Sequence, residues 1–141
     1  MSSSPLPLLI VVAAALIAPD GRVLVQQRAP DRSMPGLWEF PGGKVEPGET
    51  PEHALVRELE EELGVIVEPQ ALAPLAFASE PLGDRNLLLL LYSTTQWLGQ
   101  PRALDASAIC WLTTAEMRTL PMPPADVPLV EALARSLRLA A

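Results

Sequence analysis

Three glutamates, Glu58, Glu61 and Glu62, stand at i, i+3 and i+4 in the stretch from Arg57 to Leu63. On a helix that spacing gathers them on one side, where like charges repel. Seven of the 17 acidic residues fall between Glu46 and Glu62, accompanied by a single arginine, Arg57. A solvated face accounts for acidic runs in general, and Glu52 and Glu60 read as such a face. It does not account for the packaging. The cluster follows the turn Pro41-Gly42-Gly43 and lies beside an apolar stripe of Leu55, Leu59 and Leu63 with Val56, so its oxygens converge near a rigid, backbone-exposing loop. Such a set suits a hard divalent cation, Mg²⁺ with Mn²⁺ as a possible substitute, which cancels the repulsion and can bridge to phosphate oxygens.

The elements that must position these groups are legible from turn chemistry and periodicity. Leu6 to Ala18 reads as a buried strand, Pro19-Asp20-Gly21 as a turn and Val23 to Arg28 as a second strand, so that a hairpin opens the chain. Ala29 to Gly48 is rich in Pro and Gly around Leu37-Trp38-Glu39-Phe40, which predicts a shaped loop with a short strand inside it. A helix is expected over about Pro51 to Leu63, with Thr50 as N-cap, Pro51 in the first position and Gly64 as left-handed C-cap. Val65 to Val67 and Ile109 to Leu112 read as short strands, and Leu87 to Tyr92 as a central one buried on both sides. Thr113 to Glu116 has capping-box spacing for a short helix. After the stiff linker Leu120 to Asp126, Asp126 to Leu139 reads as an amphipathic helix with Pro128 in its first turn.

The chain has 141 residues and reads as a single domain over 1–141, without internal repeats. Hydrophobic residues at 49% supply a core. The formal net charge of -7 argues against stable nucleic-acid binding, which needs a basic surface, while leaving room for a small anionic substrate bound through cations. The apolar run Leu6 to Ala18 has 13 residues, short of the roughly 20 of a spanning helix. The first basic residue, Arg22, lies beyond the run rather than before it, unlike a signal peptide. No membrane partner is expected. Cys110 alone excludes an internal disulfide and fits a reducing, cytoplasmic setting, where it reads as a small buried hydrophobe. Trp38, Phe40 and Trp111 read first as core, with base stacking as the alternative.

Reading from Gly43, the stretch GKVEPGETPEHALVRELEEELGV resembles the Nudix box, Gly-x5-Glu-x7-Arg-Glu-U-x-Glu-Glu-x-Gly-U with U aliphatic. Gly43, Glu49, Arg57, Glu58, Leu59, Glu61, Glu62, Gly64 and Val65 fill every specified position. At about 5 to 7% usage per residue type, the seven fixed identities coincide by chance below about 10⁻⁷ per start position. Gln27-Arg28, Leu37 to Lys44, Trp111 and Pro123 to Pro128 extend the similarity toward the MutT-type branch of that family.

The resemblance implies an α+β fold, a mixed β-sheet sandwiched between α-helices, and hydrolysis of a nucleoside triphosphate to a monophosphate and pyrophosphate. Damaged or non-standard nucleotides such as 8-oxo-dGTP or modified dCTP are the implied substrates; a monomer or dimer is expected, the sequence itself not fixing which. It places Glu58, Glu61, Glu62 and the Gly42 carbonyl around Mg²⁺, with Glu58 also orienting or deprotonating the attacking water. Arg57 would anchor a glutamate and Glu49 support loop and helix. Arg28 would contact phosphate by a forked hydrogen bond, or else end its strand in solvent. Asp105 is the nearest match to a further acidic ligand, though its side chain is short.

The base site would be lined by Glu39, Phe40, Pro41 and Gly42 together with Asp126. The bacterial MutT pattern has asparagine at that last position. Ionised aspartate only accepts hydrogen bonds, which suits the amine of cytosine or the N–H pair of guanine, and a resembling subgroup active on cytidine nucleotides carries the same Pro-Ala-Asp-x-Pro. Asp126 would also make a good N-cap. Two other functions remain open at this point: hydrolysis of ADP-ribose or another nucleoside diphosphate derivative, and a non-catalytic nucleotide-binding module.

Overall fold

The computed structural model describes residues 6–140. Among these described residues seven strands form two sheets. The four-stranded sheet has the order β4-β1-β6-β5, built from β1 (Leu8–Leu16), β4 (Gly42–Lys44), β5 (Ala73–Leu82) and β6 (Arg85–Thr94). The three-stranded sheet runs β3-β2-β7, from β2 (Val23–Gln27), β3 (Trp38–Glu39) and β7 (Ala108–Leu112). Three helices pack on them, α1 (Pro51–Leu63), α2 (Thr114–Met117) and α3 (Asp126–Ala140). The α+β expectation with helices either side of mixed sheet holds, because β1 runs parallel to β6 and antiparallel to β4.

Strand β1 explains why its sequence is apolar without alternation. Ala13 and Ala15 face a core completed by Met117 of α2 and Leu129 and Leu133 of α3. Val12, Ala14 and Leu16 face a second core, closed by Leu55, Leu59 and Leu63 of α1. A strand covered on both faces has no solvent side to mark with polar residues. The opening hairpin is not formed as a paired unit. β1 and β2 diverge into different sheets, joined only by the bridge Ile17↔Val23 and the bond from the Ala18 N–H to the Arg22 carbonyl at 2.9 Å.

Helix α1 keeps its predicted limits, since each end is fixed by local chemistry. The Thr50 hydroxyl accepts from the His53 N–H at 3.1 Å, and Gly64 closes the helix at φ 73°, its N–H donating to the Glu60 carbonyl. The Thr113–Glu116 capping box is also present. Val65 to Val67 makes only the single bridge Ile66↔Leu98, while Val65 and Val67 are buried beneath α1. The loop from Ala29 to Gly48 contains two short strands rather than one, each belonging to a different sheet. Strand β5 was not legible. It carries Pro74 and Pro81 and shifts register after Pro74, which an edge strand tolerates because one row of its backbone needs no ladder partner. Among the described residues no helix is long and apolar enough to cross a membrane.

The pairing of β4 with β1 brings Gly42 against Val12 and Ala13. A Cβ added at Gly42 would lie 1.9 Å from the Val12 carbonyl oxygen and 2.7 Å from the Ala13 Cα, backbone atoms that cannot swing aside. Gly42→Ala is therefore expected to destabilise the fold by at least about 1–3 kcal/mol, the cost of overpacking a rigid site. Urea unfolding checks this, and an unchanged midpoint would contradict it.

Candidate active site

Helix α1 and the β3–β4 turn build one end of a cleft of about 790 Å³, lined by Gly42, Gly43, Glu58, Glu61 and Glu62. Arg57 organises its rim. Its Nε and Nη2 donate to the two Glu49 oxygens at 2.7 and 2.8 Å, its Nη1 to Glu58 at 2.9 Å and Glu61 at 3.4 Å, and Nη2 also to the Lys44 carbonyl. This guanidinium ties the loop before α1 to the helix. The forked bond holds the Glu49 carboxyl down to about 2, and the surrounding carboxylates push the arginine further up. Arg57 and Pro41 do not line the cleft; the Pro41 carbonyl accepts from the Ala14 N–H at 2.9 Å, anchoring the turn to β1.

The three glutamates are not equivalent. Glu61 is exposed, Glu58 is half-buried, and Glu62 is 8% exposed. Glu62 is held by two neutral donors, the Gly42 N–H at 2.9 Å and the Gln26 side-chain amide at 3.1 Å. Burial pushes its pKa up to about 8, with the negative charge of Glu58 and Glu39 adding to the effect. Burial likewise raises Glu58 against the opposing pull of Arg57. Gly43 leaves room for that carboxyl, because a Cβ there would sit 2.4 to 2.6 Å from the Glu58 carboxyl atoms.

These residues fit a divalent cation in chemistry: an all-oxygen donor set, one carboxylate buried without a cationic partner, and a backbone cradle cleared for a second. Among the described residues no three His, Cys, Asp or Glu side chains already close on one point. Glu58 and Glu61 lean on Arg57 instead, so gathering an ion requires them to turn from it.

The other end of the cleft is lined by Arg28, Glu39, Phe40 and Asp126. Asp126 is 5% exposed, and its Oδ2 accepts from the Phe40 N–H at 3.2 Å, across 86 residues of sequence. The carboxylate thus reaches across to the β3–β4 turn, which a pure N-cap would not do. Burial raises its pKa to about 7, with Glu39 contributing in the same sense. Arg28 is not a solvent-facing strand end. Its fork is occupied by Glu39 at 2.8 Å, the Ser33 hydroxyl at 2.9 Å and the Ser33 carbonyl, so it shapes the loop that bounds the cleft. Burial still raises Glu39, more than Arg28 lowers it.

Asp105 and Glu52 fall differently from the sequence reading, whereas Glu60 and the aromatics fall as first read. Asp105 lines the cleft but pairs with Arg32 at 2.7 Å, an exposed contact between two loops. Glu60 is solvated as expected, whereas Glu52 accepts from the Tyr92 hydroxyl at 2.6 Å. Phe40 and Trp38 belong to the α3-side core, and Trp111 stacks on Trp97 at 6.0 Å between centroids, so these aromatics serve packing. Cys110 is half-buried on β7 against the same core as Trp38. Gln26 and Arg32 had not been singled out. The one signal for Gln26 was an amide interrupting the apolar run Val23-Leu24-Val25.

Comparison with known proteins adds to this geometry. Residues 7–133 match the NUDIX domain. Over 124 residues the chain is 40% identical to the CTP pyrophosphohydrolase of Escherichia coli (strain K12), covering 88% of this chain and 90% of that protein. It is 34% identical over 116 residues to the 8-oxo-dGTP diphosphatase of the same organism, covering 82% and 88%. The solution structure of the E. coli ORF135 protein superposes with a TM-score of 0.84 at 36% identity, covering 97% of each chain.

The two buried acids set a pH dependence. Glu62 and Asp126 bind a proton more tightly folded than unfolded, so the stability they contribute is complete below about pH 4 and is lost as pH rises through about 7 and 8. Cation-free protein is expected to resist urea better at about pH 5 than at about pH 8.5, and Asp126→Asn, which cannot ionise, to lose part of that fall. Equal slopes in the two proteins would contradict the assignment for Asp126.

Proposed function

The chain belongs to the NUDIX family, and from that premise we propose that it is a Mg²⁺-dependent pyrophosphohydrolase of nucleoside triphosphates. It converts a triphosphate and water to a nucleoside monophosphate and pyrophosphate, clearing oxidised or otherwise non-standard nucleotides. Hydrolases of this family generally use a divalent metal; the all-carboxylate donor set favours Mg²⁺, with Mn²⁺ able to replace it. The observation that carries the reading is that one cleft joins the carboxylate face of α1 to the buried Asp126–Phe40 contact. One end suits a cation and phosphates, the other a hydrogen-bonding base.

Within that reading Glu58, Glu61, Glu62 and the Gly42 carbonyl hold the cation. When bound, it neutralises phosphate charge and acidifies a water molecule. Glu58, next to Arg57 and with its pKa raised by burial, orients the attacking water and takes its proton on a carboxylate oxygen. Before the cation binds, Arg57 holds Glu58 beside the turn, and Glu49 fixes Arg57. Asp126 accepts N–H groups of the base, the chemistry of cytosine N4 or of guanine N1 and N2. The names of the relatives, a CTP pyrophosphohydrolase and an 8-oxo-dGTP diphosphatase, support both bases.

Removing one ligand charge at an exposed site should stop turnover without unfolding the chain. Glu61→Gln is expected to lower kcat by at least about 100-fold, the scale at which one electrostatic partner counts in catalysis, with its circular dichroism melt unchanged. Retained turnover would overturn the cation assignment.

Substrate choice is read by a Mg²⁺ panel of dCTP, 5-methyl-dCTP, 5-hydroxy-dCTP, dGTP, 8-oxo-dGTP and ADP-ribose. One modified triphosphate is expected to have the highest kcat/KM, and Asp126→Asn to reorder the panel more than it lowers the best rate. Turnover of ADP-ribose alone would replace the triphosphate reading, and no turnover of any compound would replace it with a nucleotide-binding module.

A further inference from the structure

Glu62 is gripped from two sheets at once. Gly42, on β4 of the four-stranded sheet, donates its backbone N–H to Oε2 at 2.9 Å, and Gln26, on β2 of the three-stranded sheet, donates its side-chain amide to Oε1 at 3.1 Å. Gln26 is 2% exposed, lines the cleft, and stands opposite Glu39 in the β2–β3 register. Its other polar atom, Oε1, is the one buried side-chain oxygen or nitrogen without a hydrogen-bond partner among the described residues. A glutamine kept for packing would satisfy both ends of its amide or be replaced by an apolar residue like Val23, Leu24 and Val25 before it. Here the oxygen end is left unmatched while the amide nitrogen serves carboxylates, bonding Glu62 and also lowering the pKa of Glu39.

We propose that Gln26 is a positioning residue for the cation site, locking the Glu62 carboxylate at the seam of the two sheets with a donor that carries no charge. The inference rests on the cation-dependent reading above. Neutrality is the point of the arrangement. A lysine or arginine in this place would orient Glu62 equally well, but it would cancel the charge a divalent cation needs and compete with it for the oxygens. Two neutral N–H groups, one from backbone and one from an amide, orient the carboxylate and leave that charge available. Partners of this kind fix the geometry of metal ligands from outside the coordination sphere. The unmatched Oε1 is the stability cost of that service, since a buried acceptor without a donor opposes folding.

Cation affinity and cation-free stability report the positioning role and a packing role separately. Mn²⁺ binding to the full chain, followed by the electron paramagnetic resonance of free Mn²⁺ without nucleotide, is compared for wild type, Gln26→Met and Gln26→Asn, alongside melting temperatures in EDTA. Gln26→Met removes the unmatched acceptor but leaves Glu62 Oε1 without its donor, so its cation-free melting temperature is expected to change little while Mn²⁺ affinity drops by about 10- to 100-fold. Gln26→Asn keeps a buried amide but withdraws it by one methylene, and should lose affinity likewise, which preserves the test if the methionine variant fails to fold. Affinity in the folded variants within about twofold of wild type would overturn the inference and leave Gln26 a packing residue. Absence of Mn²⁺ binding to wild type would instead overturn the functional reading itself, and this inference with it.

Discussion

One guanidinium holds an acidic helix to the loop that makes it useful. Seven carboxylates between Glu46 and Glu62 share a single arginine in that stretch, and Arg57 spends its donors on Glu49, Glu58, Glu61 and the Lys44 carbonyl at the end of β4. Without it, the glutamates on α1 would repel one another and the turn before the helix would lose its fixed point. With it, the repulsion is contained but not removed, because one positive charge faces three carboxylates and Glu62 receives none of it. The residual negative charge is what a divalent cation would meet.

The fold makes that containment possible by burying β1 on both faces. Alanines at 13, 14 and 15 let α1 approach from one side while α3 packs on the other. The register that pairs Gly42 and Gly43 with β1 then fixes the turn beneath Glu58 and Glu62: the missing Cβ of Gly43 leaves room for the Glu58 carboxyl, and the Gly42 N–H reaches Glu62. Burial is also what makes Glu62 and Asp126 reluctant to ionise. The two ends of the cleft thus share a cause: carboxylates placed where water is scarce and a ligand must replace it.

Much of this was legible in residue types and spacing. The limits of α1 follow from Thr50, Pro51 and Gly64, whose roles are local, and the acidic face follows from the helical period. Elements whose position depends on long-range pairing were harder to read. β5 carries two prolines and has no clear alternation, so only the presence of β6 beside it makes it a strand. The split of β1 and β2 between sheets is invisible in a turn sequence that would equally serve a hairpin. At the site, Arg28, Glu39 and Asp126 were legible as candidates, but their contacts were not: Arg28 is filled by Glu39 and Ser33, and Asp126 reaches Phe40 from 86 residues away. Gln26 was missed because its role depends on a helix 36 residues further on.

In the proposed reaction the cleft cuts between the first and second phosphates of a triphosphate, with the base held at the Asp126 end and the phosphates at the α1 end. Phosphorus NMR of a reaction with 8-oxo-dGTP or 5-hydroxy-dCTP in Mg²⁺ reads that position directly. Equal amounts of nucleoside monophosphate and pyrophosphate, with no orthophosphate, are the predicted result. Orthophosphate together with a nucleoside diphosphate would show cleavage at the terminal phosphate and would contradict the account.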